Sequence, residues 1–527
     1  MRNNVGLFLA KRAHLSPRVE GFVDVDTGRR FTFAEWNARA NRTANALLDA
    51  GVGKGDRVAL LQMNSVEYME SFFAIAKIGA ICVPLNWRLT AEELAFILRD
   101  SGSATLIYGA ELADVVADLE QRGHGETGTG ATGTGATGTG VERWVLCGSG
   151  ADRPDWAVAY DDWQGAASDA EPEVDAGEDD VLYIMYTSGT TGLPKGAVHT
   201  HDSATWGVLT VNATSDLRVK DRYLVALPLF HVGALTPCTA NVHRGATAVV
   251  MRAFDPRRAW EIIDQERITT GLKVPAMLNF MRQVYDPARH RHTELRWLMS
   301  GAAPVPVSLI EEYDRMGIEI QQVYGLTETC GPACLISSDD AVARAGSTGK
   351  AFFHTDVRVV DAEGADVPPG EPGEVLVRGK HLMIGYWNRP EDTAAALRDG
   401  WLHTGDVATV DQEGFVYIQD RLKDMYISGG ENVYPAEIEN VLIAHPKVLE
   451  AAVIGQPSAR WGEVGAAIVV KSDDSLDADD LRAFCQGKLA RFKQPVVYEF
   501  VDQIPRNPSG KILKRILRDQ FPGPSPE

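Results

Sequence analysis

Thr187, Ser188, Thr190 and Thr191 bring four hydroxyls up against Gly189, Gly192 and Gly196, and Lys195 adds one positive charge. In the string YTSGTTGLPKG the glycines let backbone N–H groups approach a phosphate with no Cβ in the way. The hydroxyls would donate to its oxygens and the lysine would supply a point charge. The loop is not the GxxxxGK[ST] type, because Lys195 follows a proline and precedes a glycine. A kinase or GTPase of the P-loop kind is therefore a poor reading of it.

Further groups with chemical potential are spread along the chain. In VYGLTET, Tyr324 could stack on a base, Thr327 could donate to a phosphate, and Glu328 could hold Mg²⁺, which commonly takes one or two carboxylates plus substrate phosphates. Upstream, MSGAAPVP offers Gly301, Ala302 and Ala303, small residues where backbone can meet a flat purine. In HTGDVATVDQEGFVYIQDR, Asp406 could chelate a ribose diol and Arg421 could add a second contact, although DQEG also reads as the turn of a plain β-hairpin. In IPRNPSGKILKR, two prolines stiffen the lead-in and Ser509-Gly510 allow a tight turn that presents Lys511; a surface turn before a basic helix is the plainer reading. His231 in LPLFHVGAL reads alone as a packed core histidine. His199 and His201 have no evident third metal ligand, and CGPAC has no second half for a zinc site.

The elements that must carry these groups are legible from periodicity. Thr32 and Glu35 form a capping-box pattern, and Trp36, Ala40, Ala44, Leu47 and Leu48 then share one helical face that ends at Gly51. RVALLQM and AICVPLN read as strands, with VEYMESFFAIAKIG as the helix between them, the rhythm of a parallel sheet with crossover helices. VLYIMYT is a strand feeding the hydroxyl-rich loop. Residues 127–140 repeat TGTGA, and a flexible surface insertion is expected there. After about residue 420, DRLKDMYISGGENVYPAEIENVLIAHP opens a small α/β unit of about a hundred residues, an ordinary domain size.

Composition bounds the function. The chain has 527 residues, 45% hydrophobic, with a net charge of −20. No basic excess exists to displace counterions from a nucleic acid, so none is expected as a partner. The six cysteines are scattered, which fits a reducing, cytoplasmic setting. The apolar run near the start is too short for a signal-peptide core, and no stretch approaches the ~18 apolar residues of a membrane span.

Taken together and in this order, YTSGTTGLPKG, YGLTET, TGD, DRLKDMYISGGENVYP and NPSGK resemble the adenylate-forming superfamily of acyl-CoA synthetases, firefly-type luciferases and peptide-synthetase adenylation domains. The resemblance runs from about residue 5 to 520. PRNPSGKILK and DRLKDMYISGGENVYPAEIE make the chain most similar to fatty-acyl-CoA ligases of the mycobacterial long-chain type. The TGTGA tract departs from the family pattern but lies away from the motifs.

The resemblance implies an α/β fold: a large N-terminal domain of layered α/β subdomains and a distorted β-barrel, followed by a small mobile α/β domain. Residues 1–419 would hold ATP and the acyl group, 420–424 would be the hinge, and 425–527 would carry the catalytic lysine and the CoA-binding strand. It implies an enzyme that uses ATP, Mg²⁺ and CoA. A carboxylate attacks the α-phosphate to give an acyl-adenylate and pyrophosphate, and the CoA thiol then displaces AMP. Lys511 would bridge the carboxylate and the α-phosphate, Glu328 would hold the metal, and Thr327 would contact the α-phosphate. Thr187, Ser188, Gly189, Thr190, Thr191, Gly192 and Lys195 would clamp the leaving phosphates. Gly301, Ala302, Ala303, Tyr324, Asp406 and Arg421 would hold the nucleoside. For the second half-reaction the small domain would turn about Lys423, withdrawing Lys511 and bringing in Ser428, Gly429 and Gly430, with Trp461, Phe492 and Lys493 toward the CoA nucleotide. His231 gains a role beside the acyl carboxylate.

The acyl pocket implied by the resemblance comprises His231, Val232, Gly233, Leu235, Val274, Met277, Gly325 and Leu326, with Gly233 and Gly301 expected to leave a tunnel open. Without a buried charge for an α-amino group, a medium- or long-chain fatty acid is expected. Each buried CH₂ contributes about 0.8 kcal/mol, so two carbons are worth roughly tenfold in affinity. An aryl acid of the cinnamate, coumarate or ferulate type is the alternative. A non-catalytic acyl- or nucleotide-binding protein would be marked by loss of Lys195, Glu328 or Lys511, and all are present. Arg282, Arg289, Arg291 and Arg296 make a surface that could touch anionic lipid, although a solvated basic loop explains them as well. A monomer or homodimer is expected.

Overall fold

The computed structural model describes residues 3–123, 138–148, 153–187, 194–303, 305–421, 424–428, 431–458, 461–486, 488–489, 491–506 and 512–523. Two large sheets organise the N-terminal part. One has eight strands, with Arg57–Leu61 and Ile81–Pro84 parallel at its centre and the antiparallel pair Val181–Thr187 and Lys195–Thr200 toward one edge. The other has nine strands, and Arg222–Val225, Thr270–Lys273, Trp297–Ser300 and Glu319–Tyr324 run parallel and adjacent within it. The largest core cluster lies between the sheets and draws on both: Phe22, Tyr223 and Val250 from one, Val58, Cys82 and Met185 from the other.

Helices fill the space between. Val66–Lys77 is buried at every residue, including Glu67 and Glu70, which pair with Arg29 and Arg39. Its Lys77 ammonium is paired with Glu171. In Phe33–Asp49 the Thr32/Glu35 capping box forms, with the Thr32 N–H donating to Glu35 Oε2 at 2.8 Å. Trp36, Ala40, Ala44 and Leu47 are buried, and Gly51 leaves the helix at φ +84°. Leu48, placed on the same face by periodicity, is only half-buried and packs at the cluster's margin. His201–Thr214 and Val232–Arg244 pack on each other in the same layer.

An antiparallel sheet of five strands follows, including Gly373–Arg378, Trp401–Val410 and Val416–Arg421, and it stands where the resemblance puts a barrel. Its last strand ends at Arg421. The next sheet starts at Tyr426–Ser428 and contains Val448–Ser458, Gly462–Lys471 and Val497–Phe500, with helices Pro435–Ile443 and Ala478–Cys485 completing a separate apolar core. The mixed α/β character and the large and small domains follow the expected class.

Residues 124–137, most of the TGTGA tract, lie outside the described residues. At its described end, Thr139 is buried and its hydroxyl accepts from the Val141 N–H at 3.4 Å, so the tract rejoins the fold there.

Candidate active site

The hydroxyl-rich loop is held at both ends by a β-hairpin. Thr187 pairs with Lys195 and Tyr186 with Gly196, and the Thr187 hydroxyl donates to the Lys195 carbonyl at 3.4 Å. Ser188, Gly189, Thr190, Thr191 and Gly192 lie outside the described residues. Lys195 is already engaged: its ammonium is 2.5 Å from Asp392 Oδ1 and 5.6 Å from the centre of the Tyr386 ring.

Strand Glu319–Tyr324 delivers the second motif. Gly325 is required here, because a Cβ would fall 1.4 Å from the Gly331 carbonyl oxygen. The chain then makes a one-turn 3₁₀ helix at Thr327–Thr329. His199, fully buried, supports this turn from below. Its Nε2 lies 2.8 Å from the Thr327 carbonyl, so that nitrogen carries the proton, and its Nδ1 meets Ser203 Oγ at 3.2 Å. Burial lowers the His199 pKa to about 4, which keeps the ring neutral. The Glu328 carboxylate accepts from the Tyr386 hydroxyl at 2.8 Å. A single oriented carboxylate fits the way Mg²⁺ is usually held, by one or two protein carboxylates with the rest from phosphates and water.

Asp406 sits in strand Trp401–Val410 after Gly405, whose φ is +68°. Tyr324 donates to Asp406 Oδ2 at 2.7 Å, and Arg421 is the backbone register partner of Asp406. Burial, and then the Asp406 charge, raise the Tyr324 phenol well above its ordinary range, so it stays a donor. Gly301 follows strand Trp297–Ser300; Ala302 adopts φ +66° and is exposed with Ala303. These small residues and Tyr324 therefore border the same parallel strand ends, the usual ligand edge of an open α/β sheet.

His231 occupies the N-cap position of helix Val232–Arg244, with no side-chain capping hydrogen bond. Its pKa is lowered to about 4 by burial and then by the charge of Arg88, whose guanidinium stacks on Trp87 at 4.5 Å. Val232, Leu235 and Val274 belong to one packed cluster, with Met277 against it. Gly325 and Leu326 enter the neighbouring turn. The two glycines expected to leave a tunnel open differ in their surroundings. A Cβ on Gly301 would meet the Val323 carbonyl oxygen at 2.2 Å, so backbone fills that side, whereas Gly233 has only Leu227 within reach, at 3.5 Å. A void of about 10 Å³ beside Leu235, Thr236, Tyr183 and Cys330 has room for about one water.

In the C-terminal domain, Ser428 is buried in its strand, and Trp461 and Phe492 are exposed. Lys493 pairs with Glu437 at 2.7 Å. Lys423, Gly429, Gly430 and Lys511 lie outside the described residues, as do all contacts of the Arg421 side chain. Of the arginine surface, Arg282 pairs with Glu312, Arg289 with Asp286 and Arg296 with Asp221. All six cysteines are free and buried, and among the described residues no cluster of three or more metal-ligating side chains occurs. No described helix is long and apolar enough to cross a membrane.

Sequence reasoning missed Tyr386, Asp392 and Arg88 and set His199 aside. GYWNRPED has reactive residue types but no diagnostic spacing, and only the fold carries it to Lys195 and Glu328.

The AMP-binding enzyme family matches residues 9–387 and the AMP-binding enzyme C-terminal domain matches residues 437–511; the chain belongs to this adenylate-forming family. It is an acyl-CoA synthetase of the AMP-forming kind, using ATP, Mg²⁺ and CoA. The chain is 46% identical over 524 residues to the long-chain-fatty-acid–CoA ligase FadD13 of Mycobacterium tuberculosis, covering 99% of this chain and 100% of that protein. It is 42% identical over 527 residues to a feruloyl-CoA synthase of Amycolatopsis, covering 99% of this chain and 100% of that protein. Among solved structures it is similar to the fatty acyl CoA synthetase of Mycobacterium tuberculosis, with a TM-score of 0.77 at 44% identity and 98% of each chain covered.

Proposed function

We propose that the acid activated by this synthetase is a medium- or long-chain fatty acid. The observation that carries this reading is that Val232 and Leu235, in the helix that follows His231, pack in one apolar cluster with Val274, and Met277 lies against it. The void beside Leu235 is too small for an acyl chain, so a chain entering there would have to displace Leu235 and its neighbours. The same tight packing favours a second reading, a flat aryl acid, and the likeness to a feruloyl-CoA synthase supports it.

In the proposed division of labour, Lys511 approaches the carboxylate and α-phosphate. Thr327, set by His199, contacts that phosphate, and Glu328 holds the metal, which neutralises phosphate charge when bound. The loop from Thr187 to Lys195 takes the departing pyrophosphate, while Tyr324, Asp406, Arg421 and the 301–303 turn hold the nucleoside. Rotation about Lys423 then brings Ser428, Gly429 and Gly430 to the site for CoA, with Trp461 and Phe492 exposed toward it and Lys493 released from Glu437. The protein works as a monomer or homodimer in the cytoplasm. Peripheral contact with anionic lipid is the weaker part of the proposal, since three of its four arginines are ion-paired.

The test incubates the protein with ATP, Mg²⁺, CoA and a panel of saturated acids of increasing length beside cinnamate and ferulate, and measures AMP and thioester. Highest kcat/KM on a saturated chain supports the first reading, and highest on ferulate replaces it with the second.

A further inference from the structure

Residues 383–393 tie together two parts of the site that the motifs treat separately. The Met383 N–H donates to the Glu328 carbonyl at 2.8 Å, while Ile384 and Trp387 donate to the Val198 and Gly196 carbonyls at 2.9 and 2.8 Å. Gly385–Tyr386 pairs as a short strand with Val198 and Ala197. The Tyr386 N–H donates to Thr393 Oγ1 at 2.8 Å, which folds the segment back so that Asp392 reaches Lys195. The far end is pinned at Asp100, which accepts from Arg389 at 2.9 Å and whose carbonyl accepts from Trp387 Nε1 at 3.0 Å.

One side chain touches both halves of the phosphate site. The Tyr386 hydroxyl holds Glu328 Oε1, and its ring faces the Lys195 ammonium. A hydrogen bond to one carboxylate oxygen fixes the rotation of the group. The ring face attracts the cation, and Asp392 neutralises it. A diphosphate presenting several negative oxygens to the same ammonium would compete with Asp392 for its donors.

We infer that Tyr386 and Asp392 are positioning residues for the phosphate half of the reaction: Tyr386 aims Glu328 toward the metal, and Asp392 is a placeholder that holds Lys195 until pyrophosphate oxygens displace it. The inference rests on the reading of Glu328 as metal carboxylate and Lys195 as pyrophosphate clamp.

Calorimetry on the full chain separates the possibilities. ATP binding is measured with Mg²⁺ and with EDTA in wild type, Tyr386→Phe, Asp392→Asn and Glu328→Gln, and inorganic pyrophosphate binding in the same four. Tyr386→Phe is expected to weaken ATP binding about tenfold with Mg²⁺, the size of one hydrogen bond to a charged group, and to leave binding in EDTA unchanged. Asp392→Asn is expected to tighten pyrophosphate binding several-fold. Equal weakening with and without Mg²⁺, or tighter Mg²⁺-dependent binding in Tyr386→Phe, overturns the aiming role. Unchanged or weaker pyrophosphate binding in Asp392→Asn overturns the placeholder. Failure of Glu328→Gln to alter Mg²⁺-dependent binding would instead remove the underlying reading of Glu328.

Discussion

The Tyr324 hydroxyl donates to Asp406 Oδ2 at 2.7 Å, joining two motifs that stand 82 residues apart in the chain. If Asp406 grips the ribose diol, Tyr324 sets the angle of its carboxylate while offering a ring to the base. A hydrogen bond to a charged group is worth about 1.5–3 kcal/mol, so Tyr324→Phe raises the KM for ATP about tenfold and leaves the KM for the acid unchanged. Asp406→Ala raises it further. Because the two act through one contact, the double variant shows less than the product of the single effects. Initial-rate ATP titrations of the three variants check this, and full additivity counts against a shared role.

Local pattern carried the helices and strands well where burial is one-sided or complete, as at Phe33–Asp49 and Val66–Lys77. The motifs marked Thr327 and Glu328 just past the end of strand Glu319–Tyr324; Asp406, expected at a strand end, instead lies within Trp401–Val410, next to the register shift at Val407 and Ala408. Contacts across distant segments were invisible. Nothing in the order of residues tells that Asp392 meets Lys195, that His199 holds the Thr327 carbonyl, or that Val323 fills the space beside Gly301. Those relations depend on strand register and on which sheet edge a loop returns to, and both are set by tertiary packing.

Acid should unfold this protein through its buried histidines. Burial lowers His199, His201 and His381 to about 4. Unfolded, each would titrate near the ordinary 6.5, so the unfolded chain takes protons first. Their stabilising share is whole above about pH 6.5 and is lost as pH falls toward 4, at up to about 1.4 kcal/mol per pH unit for each ring. Glu70, raised by burial, opposes the trend among the carboxylates. Thermal midpoints taken from pH 7.5 to 4.5 should fall most steeply across that window, and His381→Asn should make the slope shallower. An unchanged slope in that variant would contradict the assignment.

Lys273 is fully buried, and its ammonium reaches only the Leu224 and Leu272 carbonyls, at 3.2 and 3.3 Å, among its described contacts. Burial lowers its pKa to about 7. A lysine so depressed costs stability increasingly as pH drops from about 10.5 toward 7, because the unfolded chain holds the proton more readily. Lys273→Met keeps the volume and removes the buried charge. It should raise the melting temperature at pH 7 and narrow the difference between pH 7 and 10. A lower melting temperature at both pH values would show that the two carbonyl contacts outweigh the charge.

Lys511→Ala separates the two half-reactions. If Lys511 acts only where carboxylate meets α-phosphate, its loss slows adenylation by roughly 10²–10³-fold, the scale of one transition-state charge contact. Thioester formation from a supplied acyl-adenylate should stay near wild type. Rapid-quench measurement of each half decides, and equal loss in both would reject alternation about Lys423.

Two glycines at the proposed acyl site should respond differently to the same added methyl. At Gly325 the new Cβ would lie 1.4 Å from the Gly331 carbonyl oxygen, and that backbone cannot yield without moving the turn that carries Thr327 and Glu328. Gly325→Ala should therefore lower the melting temperature and adenylation together. At Gly233 the nearest atom is a Leu227 methyl at 3.5 Å, ordinary contact, so Gly233→Ala should fold normally. Its methyl would still narrow the space beside His231. If the acyl group runs there, the variant keeps its KM for ATP but loses kcat/KM on its best acid, and the optimum moves toward shorter or slimmer acids. Melting curves and the acid panel, run on both variants, test the contrast. An unchanged acid profile in a well-folded Gly233→Ala would place the acyl chain elsewhere.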